Sequence, residues 1–178
     1  MKNYPPEHRD IVSNLLDGRF IIYPDPLFIA LNKEDMAMDY KEFFKHSYNF
    51  DLKIEADYAF LTSNDVTEKG TRDFTLFLAI LSRELDYSGK NFRDCIELGS
   101  FNIAETENLL KQSSKWEILE KTTVANFDTF LNTWNKKNVI KRQGNQFKFT
   151  KAVKLFLEFA VNIAQAKLNE EGVNNINP

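Results

Sequence analysis

The feature that most constrains the fold is the order of three segments in the last third of the chain. Thr123–Lys137 carries apolar side chains at helical spacing, and Val139–Thr150 alternates in polarity around the pair Gly144-Asn145. A two-residue turn that contains glycine favours a tight β-hairpin. A second helical pattern, Lys151–Glu170, follows immediately. Helix, hairpin and helix in this order predict a winged-helix module, in which the hairpin is the wing.

The register of this hairpin follows if its loop has two residues. Alternation then places Ile140, Phe147 and Phe149 on the core face and sets Lys141 opposite Lys148 on the outer face. Like charges directly opposite each other destabilise a strand pair by a few tenths of a kcal/mol. Such a pair favours an anionic partner, most simply the phosphate backbone of DNA. The alternative is a lysine-rich edge strand that only discourages aggregation.

Positive charge is concentrated in the same segment. The chain of 178 residues has a net charge of −3, and residues 1–70 hold 8 basic against 13 acidic side chains. Residues 71–120 hold 6 against 9, whereas residues 121–154 hold 8 against a single acid, Asp128. This asymmetry is typical of a local nucleic-acid footprint. We predict phosphate contacts from six side chains: Lys136, Lys137, Lys141, Arg142, Lys148 and Lys151.

The helix before the hairpin occupies the position of a recognition helix. Its apolar positions predict an inward face, namely Val124, Phe127, Leu131 and Trp134. The other face offers Asn126, Asp128, Thr129, Asn132, Thr133 and Asn135, with no arginine. Base recognition relies on arginine bound to guanine or on asparagine and glutamine bound to adenine. Without arginine, we expect phosphate contacts that do not depend on base sequence.

The first half of the chain repeats this order of elements. Helical spacing in Glu7–Asp17 is followed by a short β-rich run, Arg19–Tyr23. Two further helices, Leu27–Leu31 and Asp35–Tyr48, lead to a hairpin between Leu52 and Thr62 that turns at Ala56-Asp57. We therefore predict an α+β fold, mostly α, with two tandem winged-helix modules and a long C-terminal helix.

A polar stretch, Ser63–Thr71, separates the two patterns. The predicted organisation is an N-terminal winged-helix-like module at 1–65, a linker at 66–71, a second module with its closing helix at 72–170, and a polar tail at 171–178. Within the second module we expect a helix at Arg72–Asp86, a loop, a small strand at Phe101–Ile103 and a helix at Glu105–Gln112.

Two helices are apolar over more than one face. The C-terminal helix carries a second apolar stripe, and Arg72–Asp86 carries extra apolar positions beside its main stripe. A helix apolar over so wide an arc is buried on both sides, either between the two modules or against another protein. The residues that would contact a protein partner are Leu155, Phe159, Ile163, Leu76 and Ile80.

Signals of catalysis are missing from the sequence. His8 and His46 lie 38 residues apart, the single cysteine is Cys95, and all six glycines are isolated. We therefore expect no enzyme activity, no metal and no cofactor. The single cysteine, the absence of a signal-peptide pattern and the lack of a membrane-spanning apolar run predict a cytoplasmic protein without a membrane partner.

Several segments in order resemble the MukE/MksE family. Leu15–Ile21, with its Gly-Arg-Phe turn, resembles the opening of that family, and Met38–Leu61 resembles its helix and aromatic first wing. Phe130–Ile140 and Phe147–Phe156 are similar to the second wing and the closing helix. The resemblance covers about residues 10–165 and depends on order and spacing together. The turn Asp57-Tyr-Ala replaces a more glycine- and aromatic-rich turn, and the short ending favours the MksE side.

The resemblance implies a non-catalytic subunit of a bacterial condensin-like SMC complex. Members of the family are tandem winged-helix proteins that form homodimers, bind a MukF/MksF-like kleisin subunit, meet the SMC ATPase indirectly and help the complex to hold DNA. Chromosome condensation and partition in the cytoplasm, at the nucleoid, are the implied setting. Three alternatives stay open: the corresponding subunit of a plasmid-defence (Wadjet-type) system, a stand-alone winged-helix transcription regulator, and a scaffold with no nucleic-acid role.

Overall fold

The structure, a computed structural model, describes residues 4–62 and 69–160. Six elements make up the first half, residues 4–62. They are α1 (His8–Leu16), β1 (Ile21–Ile22), α2 (Pro26–Leu31), α3 (Glu34–Tyr48), β2 (Asp51–Ile54) and β3 (Tyr58–Thr62). Hairpin β2–β3 is called the first hairpin below.

The second half, residues 69–160, follows the same plan with additional short helices. Its elements are α4 (Lys69–Tyr87), α5 (Phe92–Leu98), β4 (Phe101–Asn102), α6 (Ile103–Gln112), α7 (Trp116–Glu120), a 3-10 helix (Thr123–Ala125), α8 (Phe127–Lys136), β5 (Ile140–Gln143) and β6 (Gln146–Phe149). Hairpin β5–β6 is called the second hairpin. None of the helices within the described ranges is long and apolar enough to cross a bilayer.

Each half contains one small antiparallel sheet of three strands with the same topology. The strand orders are β1-β3-β2 and β4-β6-β5, so the short isolated strand pairs with the second strand of the hairpin in both halves. The predicted α+β, mostly α fold is confirmed. The repeated helix–strand–helix–hairpin order is consistent with two winged-helix-like units.

Helix starts and ends follow local chemistry. Pro26 occupies the first turn of α2, where its missing N–H costs nothing, and the Asp25 carboxylate accepts a hydrogen bond from Leu27 N at 2.9 Å. In the second half, Asn102 Oδ1 accepts from Glu105 N at 3.2 Å and caps α6. Helix α3 ends at Asn49, whose φ of 55° is the left-handed conformation that stops a helix.

Two clusters of buried side chains form the core. The smaller cluster lies in the first half around Phe28, Tyr40 and Phe44. The larger cluster is mostly aromatic: the ring of Phe74 lies 4.2 Å from that of Trp134 and 4.7 Å from that of Phe156, centroid to centroid. The larger cluster also contains Phe20 and Tyr58 from the first half. The two halves therefore share buried apolar surface.

A short backbone junction joins the halves beside this shared core. Phe20 N donates to Lys137 O at 2.9 Å, and Asn138 Nδ2 donates to Phe20 O at 2.8 Å. Asn138 has a φ of 64°, which its short polar side chain tolerates better than most residues do. The junction fixes the Gly-Arg-Phe turn of the first half against the end of α8.

The structure corrects several boundaries in the second half. The segment expected to be one helix from Thr123 begins instead with the 3-10 helix, because Asn126 Oδ1 accepts from Thr129 N at 3.1 Å and starts α8 at Phe127. Helix α5 lies where the sequence predicted a loop, and α7 lies in a segment for which it predicted no element. Helix α4 already includes Lys69–Thr71, which were expected to belong to the linker.

The C-terminal helix is described only in part. Residues 151 and 152 form a turn, and residues 153–160 are helical. Val153 and Phe156 of this segment are buried in the larger cluster. The rest of the helix predicted at Lys151–Glu170, and the predicted tail, lie outside the described residues.

Candidate functional site

The second hairpin has the register that its sequence predicts. Ile140 pairs with Phe149, Lys141 with Lys148, Arg142 with Phe147 and Gln143 with Gln146. Gly144 has a φ of 58° at the first position of the two-residue turn, a conformation that glycine adopts without strain.

Alternation along the two strands separates a buried face from an outer face. Ile140, Phe147 and Phe149 are buried in the larger cluster, as predicted. Lys141 and Lys148 are both exposed on the opposite face, in register with each other. The outer face of the second hairpin therefore presents two adjacent ammonium groups to solvent.

Arg142, predicted to contact phosphate, is instead anchored against α8. Its Nη2 donates to Asp128 Oδ1 at 2.7 Å and its Nη1 donates to Asn132 Oδ1 at 2.6 Å. Its backbone N donates to Asn135 Oδ1 at 3.1 Å. These contacts attach the strand β5 to the exposed face of α8, so the guanidinium holds the hairpin in place.

The polar face of α8 is largely occupied by these same interactions. Asn132 and Asn135 accept from Arg142, while Asn126 caps the helix. Asn132 Nδ2 also donates to Asp128 Oδ2 at 3.0 Å. The amide oxygens of Asn126, Asn132 and Asn135 therefore all accept hydrogen bonds within the protein.

The remaining predicted lysines flank the point where the hairpin closes. Thr150 N donates to Val139 O at 2.9 Å, which brings the end of β6 beside the end of α8. Lys136 is exposed in the last turn of α8. The ammonium of Lys137 lies 5.3 Å from the centroid of the Trp134 ring, a cation–π contact.

Lys151, also predicted to contact phosphate, is paired with an acidic residue of the first half. Its Nζ lies 2.8 Å from Asp57 Oδ1, and the Nζ of Lys154 lies 2.8 Å from Asp57 Oδ2. Hydrogen bonds from Lys151 and Lys154 hold the pKa of the Asp57 carboxyl below its usual range. Nothing in the sequence indicates this contact, because it joins residues 94 and 97 positions apart.

The predicted protein-contact residues lie in different environments. Phe159 is 45% exposed, while Leu155 and Leu76 are partly buried against the larger cluster. Ile80 is only 7% exposed, so it belongs to the core of the chain itself. Ile163 lies outside the described residues.

The described residues contain no group of three or more His, Cys, Asp or Glu side chains placed to hold a metal ion. His8 packs instead against the Tyr4 ring, with centroids 4.2 Å apart, and its Nδ1 lies 3.1 Å from Tyr40 Oη. Cys95 is partly buried beside the larger cluster.

Fold and site together describe an α+β protein whose two halves share one strand topology and whose second hairpin has a lysine-bearing outer face. A family model described as "Condensin complex protein MksE" matches residues 6–161. The chain belongs to this family, which confirms the membership in the MukE/MksE group that the sequence predicted, and it is a subunit of a condensin-like complex. Among curated proteins, none matches the chain significantly.

Proposed function

We propose that this subunit binds a kleisin chain within an SMC complex and contacts DNA, without sequence preference, through the outer face of the second hairpin. The observation that supports the DNA contact is the exposed, in-register pair Lys141–Lys148. The proposed setting is chromosome condensation and segregation at the nucleoid, with the protein acting as a cytoplasmic, non-catalytic homodimer. Each half would be one winged-helix module, divided near residues 66–71.

Electrostatics favour a phosphate partner for this face. Two ammonium groups opposite each other repel, so the pair costs the hairpin a few tenths of a kcal/mol in the free protein. A phosphate placed between them removes the repulsion and releases counterions from the DNA. An edge strand that only needed protection from aggregation could use one lysine, without the repulsion.

The number of contacts sets the expected salt dependence. Arg142 is bound to Asp128, and Lys151 to Asp57. The proposed phosphate contacts in the free protein's hairpin region are the exposed Lys136, Lys141 and Lys148, together with Lys137, whose ammonium lies over the Trp134 ring. At about −0.9 per phosphate, these four contacts give a slope of roughly −3 to −4 for log affinity against log salt.

The DNA contact is tested with the charge-reversal variant Lys141→Glu/Lys148→Glu of the full chain. Fluorescence anisotropy would measure binding to two duplexes of unrelated sequence. The matched control is Lys115→Glu/Lys121→Glu, which changes net charge equally at two exposed lysines away from the hairpin. We expect the hairpin variant to lose at least tenfold in affinity for both duplexes, as the loss of two phosphate contacts implies.

Equal losses in the hairpin variant and its control would contradict the proposed site. A strong preference of the unaltered protein for one duplex would favour a stand-alone transcription regulator instead. If the unaltered protein binds neither duplex, alone or with its kleisin, the scaffold alternative is favoured.

The kleisin contact is proposed at the outer side of the helical segment 153–160. Phe159 is 45% exposed there, and Leu155 lies partly buried on the same segment. Large exposed aromatic side chains are enriched at the centres of protein interfaces. Leu76 is retained as a further contact, whereas the buried Ile80 is not.

Co-elution with a MksF-like kleisin, followed by calorimetry, tests this contact. Phe159→Asp is expected to weaken kleisin binding at least tenfold, because it places a charge in an apolar interface. Ile29→Asp is the control, since Ile29 is similarly exposed, at 50%, on α2. Unchanged kleisin affinity in Phe159→Asp would overturn this surface, and light scattering on the same samples would measure the proposed homodimer.

A further inference from the structure

Lys151 and Lys154 both bind the carboxylate of Asp57, a residue of the first half of the chain. Each Nζ lies 2.8 Å from a different oxygen of Asp57, so both oxygens of the carboxylate are used. Two ammonium groups that bind two oxygens of one anion form the kind of arrangement that also binds a phosphate group. The contact is therefore an anion-binding pair whose anion belongs to the protein itself.

The backbone of the first half delivers Asp57 to this position. Asp57 lies in the turn of the first hairpin, between β2 and β3. Its carbonyl oxygen accepts from Tyr23 N at 2.9 Å, which fixes the turn beside β1. The ammonium of Lys151 lies 5.2 Å from the centroid of the Tyr23 ring. Backbone and ring contacts would therefore keep the turn and Lys151 close even without the carboxylate charge.

The location of the pair connects it to the proposed DNA-binding face. Lys151 follows Thr150, whose N donates to Val139 O where the second hairpin closes. Both lysine side chains are about half exposed, at 45% and 54%. A duplex lying along the second hairpin would thus pass near two ammonium groups that Asp57 already holds.

Exposed ion pairs exchange partners at little cost. Solvent screens both Lys–Asp pairs, and such pairs contribute little to stability. Hydrogen bonds from Lys151 and Lys154 lower the pKa of the Asp57 carboxyl, which is an anion at neutral pH in any case. A polyanion at high local charge density competes well for the same ammonium groups.

We propose that Lys151 and Lys154 form a second phosphate-binding pair, which the Asp57 carboxylate occupies in the free protein, so that the turn of the first hairpin competes with DNA. This inference rests on the proposed DNA contact and extends it, because it makes the first half of the chain a regulator of the second.

The experiment compares Asp57→Asn with Glu55→Gln in the full chain. Both substitutions remove one negative charge from the first hairpin, but only Asp57→Asn releases the two lysines. Asp57→Asn also keeps the backbone bond to Tyr23. We expect Asp57→Asn to bind random-sequence duplex roughly threefold to tenfold more tightly than Glu55→Gln. Its salt slope should steepen by up to about 2, at about 0.9 for each released lysine.

A third variant assigns the gain to the two lysines. Adding Lys151→Gln and Lys154→Gln to Asp57→Asn should return both affinity and salt slope to the level of the unaltered protein or below. A gain that persists in this triple variant would overturn the inference, because it would show that Asp57 acts through general repulsion of DNA.

The remaining outcomes separate the two proposals. Equal affinities for Asp57→Asn and Glu55→Gln overturn the competition, even if Lys141→Glu/Lys148→Glu shows that the second hairpin binds DNA. Weaker binding by Asp57→Asn overturns it too, because Asp57 would then be positioning the lysines for DNA. Binding by none of the variants overturns both proposals, whereas binding by Asp57→Asn alone supports the competition directly.

Discussion

The two hairpins of this protein share a topology and differ in what they show to solvent. In the first hairpin, the outer position Lys53 lies opposite Phe60, and Asp57 occupies the turn. In the second hairpin, Lys141 lies opposite Lys148. The buried positions of both hairpins set the fold, whereas the outer positions differ: a lysine lies opposite an aromatic ring in the first hairpin, and two lysines lie opposite each other in the second. One strand topology therefore presents different side chains to solvent in the two halves.

The two core clusters differ in which halves of the chain contribute to them. The larger cluster takes Phe20 and Tyr58 from the first half, while the smaller cluster consists of first-half residues in the described part of the chain. The backbone junction at Phe20 and Asn138 reinforces this sharing. The first half therefore depends on the second for part of its burial, and we expect the two halves to unfold together.

The largest expected effect comes from removing one buried aromatic ring from either core cluster. Phe74→Ala and Phe44→Ala each remove a fully buried ring and should cost roughly 3 to 5 kcal/mol of unfolding free energy. Urea denaturation, followed by circular dichroism, would measure both. A single transition in each variant is expected, because the halves share buried surface. Two separate unfolding transitions in either variant would show instead that the two halves fold as independent modules.

Alkaline pH should act through the first half of the chain. Burial raises the pKa of Tyr40 to about 12 and that of Tyr58 to about 12, from an ordinary value of about 10. Because the unfolded chain loses these protons first, stability is complete below about pH 10 and falls as the pH rises towards 12. The loss should reach roughly 2 to 3 kcal/mol for each tyrosine.

Urea denaturation at pH 9 and pH 11.5 measures most of this loss but not all of it, because pH 11.5 lies below the raised pKa of both tyrosines. Tyr40→Phe and Tyr58→Phe should each remove their own share of the pH dependence. A pH dependence that stays unchanged in both variants would show that other groups cause it.

A smaller effect is expected at the junction between the halves. Asn138→Gly keeps the positive φ of this position but removes the donor to Phe20 O, leaving a buried carbonyl without its partner. The expected cost is roughly 1 to 2 kcal/mol. The control is Asn49→Gly, which has a φ of 55° and is exposed, and it should change stability by less than about 0.5 kcal/mol. Equal effects would mean that the junction bond contributes nothing.

The smallest expected effect comes from reversing one charge on the second hairpin, which should change stability and DNA affinity in opposite directions. Lys141→Glu places a carboxylate opposite Lys148, so the free energy of unfolding should rise by a few tenths of a kcal/mol. Affinity for duplex DNA should fall in the same variant. Lys141→Gln should have a free energy of unfolding and a DNA affinity between those of the unaltered protein and Lys141→Glu. A loss of stability in Lys141→Glu would contradict the like-charge cost assigned to this pair.

Sequence periodicity was sufficient for the parts of the molecule that depend on local pattern. Alternation around Gly144-Asn145 predicted the strand register, and helical spacing predicted the buried face of α8. The predicted start of α8 was wrong because Thr122 and Asn126 both act as N-caps. The sequence does not indicate which of two neighbouring caps begins the α-helix. Short helices such as α7 depend on the burial of Leu119, a tertiary contact without a local signal.

The site was predictable in composition and less so in geometry. The sequence identified the basic residues but gave all six the same role. The lone acid Asp128 could have suggested a partner for Arg142, since both lie in one basic segment. The contact of Asp57 with Lys151 depends on how the halves dock, and charge counts along the chain contain no information about docking.

The most direct test of DNA contact by the second hairpin compares the two hairpins by the salt dependence of DNA binding. Random-sequence duplex would be titrated against the unaltered chain, Lys53→Glu in the first hairpin and Lys141→Glu/Lys148→Glu in the second, between about 50 and 200 mM salt. We expect a slope of roughly −3 to −4 for the unaltered chain and for Lys53→Glu, reduced by about 2 in the second-hairpin variant. Equal slopes in all three proteins, or a reduction confined to Lys53→Glu, would contradict the assignment of DNA contact to the second hairpin.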